Sequence, residues 1–361
     1  MTFISPALAR ITALMLKESR QLLRDRATFG MLLGIPILQI ALFGCAIELA
    51  PHALQIRVIA TDQERFVRVQ RLLASYEGSV LISRIASSSA AITALKRGST
   101  LMVVDADSRP PLVYLDATDP VLETQAESMI DGVVRSVSGS VEDDAAAPLF
   151  YLKRLYNPGL RTQPFMVSGL IGVILTMSLV MMSALTISRE RERGTLDGLL
   201  STPVRPLELW VGKLAPYLLL GVLQASLVLV VARFVFYIYP AGSILLLGFG
   251  TLVFAAANLA LGFLFSCVAR QQMQAMQMTF FFFLPSSLLS GFMFPFSAMP
   301  RWAQRLAEIL PLTHYLRVVR GILLRGVDTT FVLQELFPIG LFAACAIAAS
   351  LLLWRRAIGA L

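Results

Sequence analysis

Charge is what this chain has least of. Only 15% of its 361 residues are Asp, Glu, Lys or Arg, while 56% are hydrophobic. Ordinary globular domains carry about 25% charged residues, so most of this protein is expected to be solvated by lipid. Histidine is nearly absent: His52 and His314 stand in separate segments, without metal-ligand companions at a recognised spacing, so no metal site is expected. The three cysteines, Cys45, Cys267 and Cys345, lie in apolar runs and read as small packing residues, not a disulfide or metal set. No GxxxxGK[ST] phosphate loop occurs; Gly212-Lys213 is followed by leucine and lacks the upstream glycine. Binding ATP in that manner is therefore excluded. No GxSxG context accompanies Ser286, Ser287 and Ser290, so a serine hydrolase using His314 is not supported. Apart from Arg233 near a helix end, the apolar runs lack ionisable residues, which counts against a proton-coupled transporter.

What is present is a series of apolar runs. A spanning helix needs about 20 mostly apolar residues. Six such segments are expected, at 28–49, 163–188, 212–236, 244–268, 272–295 and 332–354. The first follows an amphipathic basic stretch, residues 5–27, that reads as an interfacial helix and not a cleaved signal. The net charge of +8 comes largely from basic residues beside the apolar runs, where they orient the protein, and no nucleic-acid partner is implied. Their balance places both termini, with the tail 355–361, on the cytoplasmic side. Arg301, Arg305, Arg317, Arg320 and Arg325, between spans five and six, run against that rule. Segment 296–330 shows apolar positions at helical spacing with arginines on the other face. It is expected to form re-entrant or interfacial helices whose arginines reach headgroups; a solvated loop face is the plainer reading.

Residues 50–160 have a different pattern. IRVIATD, SVLISRIA, TLMVVDAD and PLVYLDATDP read as strands, separated by the helical QERFVRVQRLLASYEG and SSAAITALKRGS. A compact α/β domain outside the cytoplasm is expected. The fold class is thus an α-helical polytopic membrane protein: six transmembrane helices with an inserted extracytoplasmic α/β domain.

The densest charge lies in SRERERGTLDGLLSTP, residues 188–203. An arginine at mid-bilayer costs roughly 2.5–3.5 kcal/mol, so Arg189, Arg191 and Arg193 are expected to end span two. Gly194 suits a helix stop and Thr195 a new cap. Leu196, Leu199 and Leu200 then share a helical face, while Pro203 and Pro206 bar simple continuation. The loop 189–211 would present a short helix with one apolar face. A charged stop-transfer clamp with a greasy turn fits the same spacing.

Further motifs narrow the choice. ISRERERGTLDGLLSTPVRPLELWVGK resembles the signature of ABC-2 type exporter permeases, roughly RE-x-GT, LL-x-TP, then E and GK. LSGFMFPFSAMPRWAQ with LPLTHYLRVVRGILLRG, and YNPGLRTQPFMVSGLIG, resemble the same family's segments, although Ser168 stands where relatives often have proline. The likeness covers essentially the whole chain, including the insert that marks the drug-exporter-like branch. It implies that Arg189, Glu190, Arg191, Glu192, Arg193, Gly194 and Thr195, continued by Leu199, Leu200, Thr202 and Pro203, couple the permease to a separate ATPase. It also implies a connecting helix, with Lys17, Glu18, Arg20 and Arg24, touching that ATPase. The implied assembly has two ATP-binding subunits and a second permease, identical or related, in a bacterial inner membrane. ATP and magnesium would reside on the partner, with no cofactor on this chain.

A substrate path between two permeases, along spans two and five, would use Met177, Met181, Met182, Met276, Phe280 and Phe283, since methionine repacks around varied apolar solutes. Ordinary packing or lipid contact is the plainer reading of such stripes. The expected function is an exporter subunit for a lipophilic or amphipathic solute, drug-like or lipid. The outer domain would gate exit or dock a periplasmic adaptor. The alternative is ATP-driven signalling to a cell-envelope partner through that domain.

Overall fold

The structure, a computed structural model, describes residues 6–24, 54–60, 62–74, 80–85, 87–108, 111–119, 123–124, 126–131, 151–156, 162–196, 198, 205–294, 296 and 299–359. The expected first span, 28–49, lies outside the described residues.

The chain opens with helix α1, Pro6–Arg24. Five strands follow: β1 Leu54–Ile59, β2 Val80–Ile85, β3 Met102–Asp105, β4 Leu112–Asp116 and β5 Tyr151–Leu155. Helix α2, Gln63–Ala74, joins β1 to β2, and α3, Ser88–Lys96, joins β2 to β3. The sheet order is β2-β1-β3-β4-β5, with β1 parallel to both β2 and β3, β4 antiparallel to β3, and β5 parallel to β4. Strand alternation sends Ile56 and Val58 to one face, where they meet Val69 and Leu73 of α2 and Met129. Ile59 and Val103 face the other way, onto Ala91 and Leu95 of α3. Ser87 caps α3 by accepting from the Ala90 amide. Strand β5 has no counterpart in the sequence reading: YLKRL is basic and largely exposed at the sheet edge, so no apolar alternation marks it.

The remainder is helical: α4 Thr162–Glu192, α5 Pro206–Phe234, α6 Ile244–Val268, α7 Gln272–Leu289, α8 Arg301–Ala307, α9 Pro311–Arg320 and α10 Thr329–Gly359. A π-helical turn, Gly321–Arg325, follows α9. Among the described residues, four helices are long and apolar enough to cross a membrane: Gln163–Glu192, Leu207–Phe234, Ile244–Val268 and Thr329–Trp354. Helix α7, over the expected fifth span, has 18 residues and carries Gln272, Gln274 and Gln277 at its start; it is not among the four.

Helix α4 is the axis of the bundle, packed against α5, α6, α7 and α9. Its 31 residues span about 46 Å, against a hydrocarbon core of about 30 Å. Its hydroxyls are satisfied locally: Thr176, Ser183 and Ser188 donate to the carbonyls of Gly172, Leu179 and Ala184 at 2.6–2.8 Å. Against α6, the Ser266 hydroxyl receives the Ile187 amide at 2.6 Å and the Ser188 amide at 3.1 Å. Helix α9 lies inside the bundle, not along its boundary: Tyr315 is fully buried, stacked on Phe254 with ring centroids 4.0 Å apart, its hydroxyl 2.9 Å from Thr251.

Helix α4 carries Arg189 and Arg191 in its last turn and ends at Glu192, two residues ahead of Gly194. One expectation is corrected here. Arg317, Arg320 and Arg325 do not face outward: each meets acidic, aromatic or carbonyl groups of the protein.

Candidate functional site

Where α4 emerges from the apolar bundle, α1 lies against the start of α5. Gly212 permits this: a Cβ there would stand 2.8 Å from Cβ of Leu14. The next residue, Lys213, is completely buried, and its ammonium lies 2.7 Å from Glu18 of α1 and 3.2 Å from Glu190 of α4. Lys17 approaches the same Glu190 oxygen at 2.6 Å, and the Tyr217 hydroxyl donates to Glu18 at 3.3 Å. One turn earlier on α5, Glu208 receives both forks of Arg10 at 2.8 Å each. That contact holds the Arg10 guanidinium above its ordinary range. Glu208 also accepts from the Arg205 amide at 3.1 Å, closing the start of α5 just ahead of Pro206. Three cations and three carboxylates thus pin α1 to the ends of α4 and α5.

The exit from α4 is equally defined. Gly194 has φ +68°, a left-handed conformation that costs a non-glycine residue. Around it the Gly194 amide donates to the Arg191 carbonyl at 3.2 Å and the Thr195 amide to the Glu190 carbonyl at 3.0 Å. This is the Schellman closure of a helix C-terminus. The Thr195 hydroxyl turns back onto the Glu190 carboxylate. Arg191 donates to the carbonyls of Cys267 and Ala269 at the end of α6, and Glu192 accepts from the Gln272 backbone amide at 2.6 Å and from its side chain. The end of α4 is therefore tied to α1, α5, α6 and α7 together. Arg189 is half-buried in the same cluster, while Arg193 is exposed.

Of the residues singled out in the sequence, Lys17, Glu18, Glu190 and Thr195 meet in one network, and Arg191 and Glu192 tie the same helix end to α6 and α7. Arg20 is exposed on α1, Arg24 closes that helix, and Leu199, Leu200, Thr202 and Pro203 lie outside the described residues. Arg10, Glu208, Lys213 and Tyr217 were not singled out. Glu208 and Lys213 stand within the E and GK of the quoted motif, so the signal was present but no partner was visible in it.

The six path residues do not converge. Met181 and Met276 pack in one small cluster, Met182 and Phe283 against the main core, and Phe280 is exposed. Met177 is half-buried on α4. None lines the arginine-lined cavity described below.

Long apolar helices around α4, with a charged joint at one end, define a polytopic helical membrane protein whose helix ends are braced as a unit. The chain belongs to the ABC-2 family transporter proteins, whose family model matches residues 26–352. It is 29% identical over 351 residues to the probable multidrug ABC transporter permease YbhS of Escherichia coli K12, covering 91% of this chain and 93% of that one. It is 27% identical over 364 residues to the probable multidrug ABC transporter permease YbhR of the same strain, covering 97% and 99%. Similarity to the E. coli inner membrane transport permease YhhJ is 28% over 239 residues, 64% of this chain and 63% of that one. Membership in this family makes the chain a membrane-embedded transport subunit that works with ATPase subunits.

Proposed function

We propose that this chain is the permease subunit of an ATP-binding cassette exporter, moving a lipophilic or amphipathic solute out of the inner leaflet or cytoplasm of a bacterial inner membrane. A separate pair of ATPases binds ATP and magnesium, and a second permease copy or a related permease completes the path. Six spans put both termini on the ATPase side and the sheet domain on the other. The observation that carries this reading is the buried Glu18–Lys213–Glu190 network. A push delivered to α1 or to residues 193–205 meets a rigid joint, because a buried charge cannot leave its partner cheaply. The displacement is then borne by α4 as a whole, the helix that reaches the sheet end about 38 Å away, counting from Glu190 to Phe165. Alternating access would follow as rigid-body rearrangement of packed helices.

A second reading, signalling through the sheet domain, draws on one contact: Arg325 of the π-helical turn holds Asp116 of β4 at 2.7 Å, with Thr118 beside it. Motion of the bundle would reach the domain through this link whether or not a solute moves.

The test is ATP hydrolysis by the chain reconstituted with its cognate ATPase, comparing wild type with a Glu192→Ala, Arg193→Ala double variant that still assembles. Hydrolysis that no longer responds to transported solute in the variant supports coupling. Failure of wild type to bind any ATPase defeats the exporter reading. Intact coupling with no solute moved favours signalling.

A further inference from the structure

Between the sheet domain and the sheet-side ends of the helices lies a cavity of about 450 Å³. Four arginines line it, Arg97, Arg317, Arg320 and Arg325, against three carboxylates, Asp116, Asp119 and Glu335. Two of the arginines have acidic partners: Arg325 with Asp116 at 2.7 Å, and Arg317 with Glu308 at 2.6 Å and Glu335 at 3.5 Å. Arg320 does not. Its Nη1 donates to the Gly291 carbonyl at 2.9 Å, and its guanidinium carbon lies 3.8 Å from the centre of the Phe165 ring. Its Nε and Nη2 are buried without any hydrogen-bond partner, and among the described residues no carboxylate lies within ion-pair distance. Burial lowers its pKa to about 10, with the Asp119 charge opposing that shift and Arg325 adding to it, so it remains charged at neutral pH.

Buried donors are rarely left unpaired, and an uncompensated buried cation is costly. The two orphaned nitrogens share one edge of the guanidinium, the fork that matches two oxygens of a carboxylate or phosphate. The cavity is larger than a bare oxyanion needs and falls in the range of small-molecule sites, about 300–1,000 Å³. Its other walls mix polar side chains, among them Thr100, Ser290 and Gln304, with an apolar set, Phe165, Leu316, Phe296 and Phe331.

We propose that this seam cavity binds an amphipathic oxyanion, its phosphate or carboxylate on the free edge of Arg320 and its apolar body against Phe165, Phe296 and Phe331. The oxyanion comes either from an anionic lipid headgroup or from a soluble molecule. The site does not depend on the exporter reading, since it can be measured with no ATPase present.

The test uses the full chain purified in neutral detergent, its thermal unfolding followed while ligand is added. The ligands are short-chain phosphatidylglycerol, phosphatidylcholine of equal chain length, and inorganic phosphate. Wild type is expected to be stabilised by phosphatidylglycerol and not by phosphatidylcholine, with apparent affinity about tenfold or more weaker in Arg320→Gln, the loss of a charged hydrogen-bonded contact. Stabilisation by inorganic phosphate alone, again dependent on Arg320, assigns the site to a soluble oxyanion. Should Arg320→Gln not fold, Ser99→Trp decides, because it adds bulk to the cavity from an exposed position on the sheet domain and leaves Arg320 itself unchanged; it is expected to weaken the stabilisation by phosphatidylglycerol. Equal stabilisation of wild type and the folded variant, or none of wild type by either anion, overturns the proposal.

Discussion

The two ends of α4 handle buried charge in opposite ways. At the α1 end, Arg10, Lys17 and Lys213 face Glu18, Glu190 and Glu208, and every one of these groups has an opposite charge within 3.2 Å. At the sheet end, Arg317 and Arg325 are matched by acids at ion-pair distance, but Arg320 rests on a ring and a carbonyl, with the Asp119 charge acting on it from further off. A closed network resists deformation, because any movement that separates its members strands a charge in a dry place. An open one is poised to accept something. One helix thus joins a rigid brace to a receptive seam.

The sharpest way to break this contrast is to remove the buried ammonium. Lys213→Met should cost about 3–5 kcal/mol, since Glu18 is left buried opposite a neutral group. Chemical denaturation in mixed micelles measures it. Adding Glu18→Gln should restore most of the loss, because an uncharged pair of similar shape lacks the stranded carboxylate. If the double variant is no better than the single, the lysine is packing and not pairing, and the brace is not electrostatic.

Next in size is Arg325→Ala, which leaves Asp116 without its charged partner at a cost of about 1.5–3 kcal/mol. The loss should fall on the attachment of the sheet domain. Limited proteolysis of that domain should speed up while the unfolding midpoint of the bundle changes little. Equal weakening of both would mean that the seam and the bundle are one cooperative unit, and the contrast between the two ends would lose its meaning.

How far these features could be read from sequence follows from where each residue's partner lies. The apolar runs over α5, α6 and α10 were visible because hydropathy is a local property. Gly194 was legible as a helix stop for the same reason, since a left-handed closure is written in one residue. The ties from Glu190, Arg191 and Glu192 to other elements were not, because charges next to an apolar run look like a membrane stop until their surroundings are known. Lys213 meets Glu18 across 195 residues of sequence, and Arg325 meets Asp116 across 209. No periodicity records such pairings. The arginines of 317–325 were therefore assigned to an outward face, although the acids that turn them inward were in plain view on the strand LVYLD and on α10.

A smaller effect is expected at the rim of the brace. Arg10→Ala removes the fork on Glu208, but that carboxylate keeps the Arg205 amide, and Arg10 is itself partly in water. Its loss should be well below that of Lys213→Met and should shrink as salt is raised, since exposed pairs are screened. Salt titration of both variants separates the two situations. A salt-sensitive Lys213 effect would show that water reaches the joint, contrary to its complete burial.

The finest test lies at the sheet end, where His314 sits between the Glu335 carboxylate at 2.6 Å and the Glu308 carbonyl at 2.9 Å. Burial opposes charging the ring, but the hydrogen bonds to Glu335 and Glu308 and the Glu335 charge outweigh it, so the pKa stands above the ordinary 6.5. Arg317, also packed here, pushes the other way and is itself held by Glu308 and Glu335. A histidine raised on folding binds its proton more tightly in the folded state, so its contribution is full below about pH 6.5 and fades as pH climbs through the folded value. Wild type should therefore exceed His314→Gln in thermal midpoint by a margin that is largest in mild acid and narrows towards pH 9. A margin at His314 that grows with pH would mean that the ring is held neutral, and that Glu335 belongs to Arg317 alone.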